Sequence, residues 1–217
     1  MNYFTSDIHF CDITTLKADC RPFKSINQFD KYIIKLWNKT AKRNDTIYVV
    51  GDLLDCDGPN HFSWHKALKY IKKIKANIVL IMGNNEQRIL DNYFDSNFNK
   101  FKNCLLSYGI KDVVYNLDMS FKGNNFHLVH NPIDYKKNYV NLVGHSHRSK
   151  GIWYLFGLSV SCDLNHYRLY SEDDIIYQLD RKNQYMADRA GGPGAGLRHG
   201  CPCDDQWYQP GPKRKGC

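Results

Sequence analysis

The sequence predicts an α/β fold, and three observations carry that prediction. Thr46–Val50 (TIYVV) and Asn77–Met82 (NIVLIM) are short continuous apolar runs, the length and composition of buried strands. Gln28–Ala41 and Phe62–Lys75 place their apolar residues at helical spacing. Strand and helix patterns then alternate through the first half of the chain, as they do in α/β proteins.

Taken in order, Asn2–Thr5 reads as the first strand. In Gln28–Ala41, Phe29, Ile33, Leu36 and Trp37 fall at i, i+4, i+7 and i+8, one face of an amphipathic helix. TIYVV follows, then Phe62–Lys75 with Trp64, Leu68, Ile71 and Ile74 in a similar register, then NIVLIM. Glu86–Phe94 begins a third helix. Asn125–Val129, Tyr139–Val143 and Leu158–Ser161 are weaker strand candidates, so the second half holds more strands and fewer helices. The chain has no internal repeat.

Its 217 residues suit one domain, or one domain with an appendage. Hydrophobic residues at 42% and charged residues at 24% exclude wholesale disorder. No stretch approaches the roughly 18 uncharged apolar residues of a membrane span. The start, MNYFTSDIHF, lacks the basic and apolar regions of a secretory signal, so a cytoplasmic protein without membrane attachment is expected. Composition changes near residue 186. Asn occurs 20 times and Ile 16 times before Met186 and neither occurs after it, whereas residues 186–217 hold 7 of 15 Gly and 4 of 7 Pro. The expectation is a domain over 1–185 and a Gly/Pro-rich tail over 186–217 that is disordered or foreign to the domain. The tail carries His199, Cys201, Cys203 and Cys217, but Cys-Pro-Cys lacks the usual two-to-four-residue gap of zinc ligands. The remaining Cys11, Cys20, Cys56, Cys104 and Cys162 read as free thiols. The net charge of +8 permits phosphates or nucleic acid as partners, although lysines on solvated faces explain it equally simply.

The informative feature is where acids, amides and histidines fall. Strand-like runs lead directly into Asp7-Ile8-His9, Gly51-Asp52-Leu53-Leu54-Asp55, Gly83-Asn84-Asn85-Glu86, His130-Asn131 and Gly144-His145-Ser146-His147. In α/β sheets the crevice beyond the carboxyl ends of strands is where ligands bind. Carboxylate, imidazole and amide oxygen together suit Mn, Fe, Zn or Ni, as in a two-metal site. Residues two apart on an extended chain face one side, so Asp7 with His9, and His145 with His147, are expected to reach one metal centre. Any one of these clusters is common. Five of them, each after a strand, are not.

This order of clusters resembles the calcineurin-like metallophosphoesterase superfamily through Asp7, His9, Asp52, Asn84, His130, His145 and His147. Arg21-Pro22-Phe23, Phe29-Asp30 through Leu36-Trp37-Asn38, and Ser161-Cys162-Asp163 with Asn165–Arg168 are similar to a small bacterial and phage subgroup of phosphoesterases. The resemblance covers about residues 2–180. It implies a four-layer α/β/β/α sandwich of two mixed sheets. It also implies a first divalent ion on Asp7, His9 and His147, a second on Asn84, His130 and His145, and Asp52 between them. Such a pair, most simply Mn, activates water and clamps phosphate oxygens.

One position departs from the pattern. The resemblance implies histidine in many members where this chain has Asn85, and that histidine helps stabilise the transition state or protonates the leaving group. An amide can donate a hydrogen bond to a phosphoryl oxygen but is no general acid near neutral pH. The expectation is slow turnover or a preference for good leaving groups, with His127, His166 or Arg148 as candidates to compensate. Arg148, Asp163 and Arg168 are assigned to the substrate end; the alternatives are a surface role for Arg148 and an Asp163–Arg168 pair. Asp55 either orients a ligand or caps its loop. The resulting expectation is a dimetal phosphohydrolase acting on a phosphodiester or phosphomonoester, with a small nucleotide as substrate. A nuclease is the alternative, and an inactive scaffold with Asn85 as its cause is a third reading. Lys66, Lys69, Lys72, Lys73 and Lys75 are the cationic segment a nuclease would use, or simply a solvated face.

Overall fold

The computed structural model describes residues 1–55 and 63–190. Cys56, Phe62 and the tail beyond residue 190, with its three cysteines and His199, lie outside the described residues. The strands are β1 (Asn2–Thr5), β2 (Thr46–Val50), β3 (Asn77–Ile81), β4 (Asp112–Val114), β5 (Leu117–Phe121), β6 (Asn124–Leu128), β7 (Val140–Val143), β8 (Trp153–Tyr154), β9 (Gly157–Ser159) and β10 (Tyr170–Ser171). The helices are α1 (Ile13–Ala18), α2 (Ile26–Thr40), α3 (Ser63–Ile71), α4 (Asn84–Phe94), α5 (Phe98–Ser107) and α6 (Glu172–Ala190). Residues Met1–Leu179 form one compact unit, and its boundary falls within α6. No helix among the described residues is long and apolar enough to cross a membrane.

Two mixed sheets form, as expected. The first has the order β10-β1-β2-β3-β4, with β1 to β4 parallel and β10 antiparallel to β1. The second has the order β5-β6-β7-β9-β8, parallel in its centre and antiparallel at both edges. Because side chains alternate along a strand, each of β1 to β4 serves two cores. Ile47, Val49, Ile78, Leu80 and Val113 meet Phe29, Ile33 and Trp37 of α2, Leu68 and Ile71 of α3, Ile89 and Leu90 of α4, and Phe101 and Leu105 of α5. Phe4, Val50 and Ile81 turn the other way and pack with Phe126, Leu128, Leu142 and Leu158 of the second sheet. Ile175 and Leu179 of α6 join this second cluster.

Helix starts are set locally. Ser25 caps α2 by accepting from the Gln28 N–H at 3.2 Å, and Asn97 caps α5 by accepting from the Lys100 N–H at 3.0 Å. The face of β6 and β7 turned away from the inter-sheet core carries His127 and Asn141. Residues 131–139 run over it, tied down by Asn141, whose amide accepts from the Lys136 N–H at 2.7 Å and donates to the Lys136 and Tyr139 carbonyls. Lys66, Lys69, Lys72, Lys73 and Lys75 are exposed around α3, as a solvated face would be.

Candidate metal centre

Every chemistry-bearing cluster stands beyond the carboxyl end of a strand. Asp7 and His9 follow β1, Asp52 follows β2, Asn84 and Asn85 open α4 directly after β3, His130 follows β6, and His145 and His147 follow β7. The two sheets meet at this end, where Ser6 pairs with Ser161 in a parallel bridge and the Cys162 N–H donates to the Ser6 carbonyl at 3.1 Å.

The expected extended geometry of Asp7-x-His9 and His145-x-His147 is not what aligns these pairs. Asp7, His9, Asp52, His145 and His147 have φ of 59°, 53°, 53°, 72° and 45°, all left-handed. Non-glycine residues rarely occupy that region, and each such residue carries on the order of 1–3 kcal/mol of strain. The chain therefore reverses sharply at each cluster instead of running on as a strand. Backbone bonds hold these reversals: the Asp7 N–H donates to the Gly51 carbonyl at 3.1 Å and the His9 N–H to the Asp52 carbonyl at 2.9 Å.

The side chains converge in two groups around Asp52. Ligand atoms of Asp7, His9 and His147 lie within 4.8 Å of one another, and so do those of Asp7, Asp52 and His130. The His9 and His147 rings stack at 5.1 Å. Asn84 Oδ1 lies 3.1 Å from His130 Nε2 and 3.0 Å from His145 Nδ1. Asp52 Oδ2 sits between the groups, 3.6 Å from His9 Nε2 and 3.5 Å from His130 Nε2. The seven side chains singled out in the sequence thus come together.

Surrounding groups fix their orientation. His130 Nδ1 lies 2.8 Å from the Val50 carbonyl, which only accepts, so Nδ1 carries a proton and Nε2 faces the cluster. His147 Nδ1 lies 2.9 Å from carboxylate oxygens of both Asp163 and Asp19 and likewise donates. Arg21 holds Asp163 in turn, with Nε at 3.0 Å and one terminal nitrogen at 2.8 Å. The same guanidinium donates to the Ile8 and Asp7 carbonyls at 2.8 and 2.6 Å, binding the first cluster to the last. Asp7 accepts from the His145 N–H at 2.8 Å and the Ser6 hydroxyl at 2.6 Å. Glu86 is wholly buried and accepts from the backbone N–H groups of Asp52, Leu53, Leu54 and Gly83 at 2.9–3.0 Å. The Asn85 N–H, in the first turn of α4, donates to Asp52 Oδ1 at 3.0 Å, directing the positive end of that helix at the carboxylate.

The electrostatics follow from burial and pairing. Burial pushes the Asp163 carboxyl upward, but His147 and Arg21 outweigh it and hold it down at about 2. Burial alone would lower His147, yet Asp163 and Asp19 raise it to about 10. His130 is raised by Asp52 against the same burial effect, and Asp52 is held low by His130. His9 is pulled down, chiefly by burial. Its Nε2 is buried, makes no hydrogen bond and points toward Asp52. A buried imidazole nitrogen without a partner, facing a carboxylate, is the place a cation fills. With the Asn84 amide oxygen and the other imidazoles, the donor set fits borderline divalent ions.

Asn85 is buried, and its Nδ2 lies 3.0 Å from His9 Nδ1. Arg88, three residues on along the same helix face, reaches Asn85 Oδ1 at 3.4 Å. Arg148 is half-exposed and donates to the Tyr167 hydroxyl at 3.3 Å. Asp163 pairs with Arg21 and His147 through a fully buried side chain and does not pair with Arg168. Arg168 and His166 are exposed on the loop before β10. His127 pairs through Nδ1 with Asp118 at 2.6 Å, and Asp55 is buried at the end of the Asp52 turn. Cys11, Cys20, Cys104 and Cys162 are free thiols. Arg21, Asp19, Glu86 and Arg88 escaped assignment from the sequence. Arg88 stands at helical spacing from the Asn84–Asn85 pair, a signal that was available, whereas Glu86 follows Asn85 directly and shares no helix face with it.

Residues 3–206 match the calcineurin-like phosphoesterase family. The uncharacterized protein MJ1445 of Methanocaldococcus jannaschii is 26% identical over 188 residues, which cover 82% of this chain and 91% of that protein. The crystal structure of AQ665, a protein of unknown function from Aquifex aeolicus, shares the fold with a TM-score of 0.54 and 20% identity, over 82% of this chain and 98% of that one. The Pseudomonas putida nuclease MPE aligns with a TM-score of 0.42 and 17% identity, over 67% of this chain and 60% of that one.

Proposed function

Because the chain belongs to the calcineurin-like phosphoesterase family, whose chemistry is metal-dependent hydrolysis of phosphate esters, we propose that it is a dimetal phosphohydrolase acting on a small nucleotide-type phosphodiester or phosphomonoester. The observation that carries this reading is the position of Asp52. Its Oδ2 stands 3.6 Å from an unpartnered buried nitrogen of His9 and 3.5 Å from His130 Nε2, as a shared carboxylate between two cation sites requires.

In this reading Asp7, His9 and His147 hold one divalent ion, Asn84, His130 and His145 hold the other, and both share Asp52. Manganese suits the donors, as do iron, zinc and nickel. When bound, the pair supplies an activated water and positive charge against the phosphoryl oxygens. The chain's own residues orient the donors. Val50 fixes the His130 tautomer, Asp163 and Asp19 fix His147, and Glu86 holds the Asp52 turn against the start of α4. Asn85 offers an amide to a phosphoryl oxygen but no proton to a leaving group, so esters with acidic leaving groups should react fastest.

The test is hydrolysis of bis-p-nitrophenyl phosphate and p-nitrophenyl phosphate by the full chain loaded with Mn²⁺, beside Asp52→Asn. Metal-dependent cleavage reduced at least a hundredfold by Asp52→Asn is expected. Two bound metals with no cleavage of either ester would sink the enzymatic reading, and absence of metal binding would sink the ligand assignment with it.

A further inference from the structure

Beside the Asn84–His130–His145 group opens a cavity of about 360 Å³ that the proposed reaction has not used. That volume falls within the range of small-molecule sites, roughly 300–1,000 Å³. Beyond the three shared residues its polar wall is made by Gln87, Tyr115, Asn116, His127, Asn131 and Asp134. Three of these are amides: Gln87 turns its NH₂ to Asp91 and keeps its carbonyl, Asn131 accepts from the Ile133 N–H and keeps its NH₂, and Asn116 carries both functions. Tyr115 adds an aromatic surface stiffened by stacking on Phe98 at 4.8 Å. His127 is 6% exposed, and its Nδ1 is engaged by Asp118.

The wall contains no lysine or arginine among the described residues, and it contains Asp134. Asp118 stands behind His127. A second phosphate entering here would meet Asp134 and no lining lysine or arginine, an arrangement that works against binding, while Asp118 is already paired with Lys136. The cations near the centre stand elsewhere: Arg88 beside Asn85, and Arg148 beside the His147–Asp163 pair. One side of the centre therefore carries charge for a phosphoryl group, and the other carries neutral donors and acceptors with an aromatic ring. Amide pairs and aromatic surfaces are how proteins read the edges and faces of unpaired bases.

We propose that this cavity is a nucleoside subsite: it takes the uncharged, base-bearing part of a mononucleotide ester and excludes a second phosphate. This rests on the phosphohydrolase reading for its place beside the reacting phosphate, but the cavity can be examined without turnover.

The experiment is equilibrium dialysis of the full chain in EDTA with adenosine, ribose, adenosine 3′,5′-bisphosphate and the dinucleoside monophosphate ApA, followed by histidine NMR of the adenosine complex. Adenosine should bind at least tenfold more tightly than ribose and than adenosine 3′,5′-bisphosphate, and equal or tighter binding of the bisphosphate would overturn the exclusion of a second phosphate. The His127 ring resonance should move on adenosine addition. Asn116→Leu, an exposed loop substitution, should weaken adenosine binding at least fivefold while the circular dichroism spectrum stays that of the parent. Equal binding of adenosine and ribose, no binding at millimolar adenosine, or an unmoved His127 resonance would overturn the subsite. Tighter binding of ApA would overturn it in favour of a polynucleotide. Since neither metal nor hydrolysis enters this readout, failure here leaves the phosphohydrolase reading standing, and failure of ester cleavage leaves the subsite standing.

Discussion

At Gly51 the backbone has φ +82°, and a Cβ built there would lie 2.2 Å from Nδ1 of His130. The close approach is what lets that ring donate to the Val50 carbonyl and turn Nε2 toward Asp52. Gly51→Ala must adopt a strained φ and push His130 away, so a loss of about 2–4 kcal/mol is expected. Urea unfolding in EDTA and calorimetric metal titration would read it, and parent-like stability with parent-like metal affinity would refute the account. Glu86 offers a second residue-scale test. Each of its oxygens accepts two backbone N–H groups, Oε1 from Leu53 and Leu54 and Oε2 from Asp52 and Gly83. Burial and the neighbouring Asp52 push this carboxyl upward while the N–H groups oppose them. Glu86→Gln turns an amide NH₂ onto two N–H donors, and a loss of about 2–3 kcal/mol should follow. The ligand residues themselves were legible in the sequence because metal chemistry restricts residue type. The left-handed backbones of five of them were not, because those five are Asp or His rather than the glycine that usually announces such a φ.

Within elements, α2 shows both what periodicity reveals and what it hides. Its apolar stripe announced the helix, but Asp30 lies wholly buried beside Phe29 in that same face. The carboxylate accepts from the Cys11 N–H at 3.2 Å and from the Cys11 thiol at 3.5 Å. Burial raises its pKa from 3.8 to about 6, with the Cys11 bonds acting in the opposite direction. A carboxyl raised on folding favours the folded state below its unfolded value. That advantage is lost as pH rises from about 4 through about 6. Asp30→Asn keeps an acceptor for the Cys11 N–H and removes the buried charge. It should be more stable than the parent by about 1–3 kcal/mol at pH 7.5, with the difference shrinking toward zero near pH 4. Unfolding curves at the two pH values decide it, and a pH-independent difference would refute it. Buried parallel strands such as β2 and β3 were legible from a different signal, a short unbroken apolar run. β8 and β10 are two residues each, too short for any period, and β5 (LDMSF) is an edge strand with only Phe121 buried. α5 carries Phe98, Phe101 and Leu105 at helical spacing behind the Asn97 cap, so its pattern was available and passed unread.

For the molecule as a whole, the centre is supplied by both sheets. Asp7, Asp52 and Asn84 come from the ends of β1, β2 and β3, while His130, His145 and His147 come from the ends of β6 and β7. No single supersecondary unit holds a full set of donors, so an unfolded chain offers none preassembled. Metal should therefore bind the folded state almost exclusively, and its binding free energy should appear as folding stability. At a free concentration a hundred times Kd, each site adds about 2.7 kcal/mol. For a chain of this size each kcal/mol raises Tm by about 2–4 °C, so Mn²⁺ should raise Tm by about 5–10 °C for one site and roughly twice that for two. Asp163→Asn tests the same coupling away from the ions. It removes the charge that Arg21 and His147 share, and it should weaken metal affinity by about ten- to a hundredfold. At fixed Mn²⁺ its metal-induced Tm shift should then be visibly smaller than that of the parent. Saturable metal binding with no rise in Tm would mean that the ions sit on groups the unfolded chain presents equally well. The convergence of the two sheets on Asp52 would then have no part in holding them.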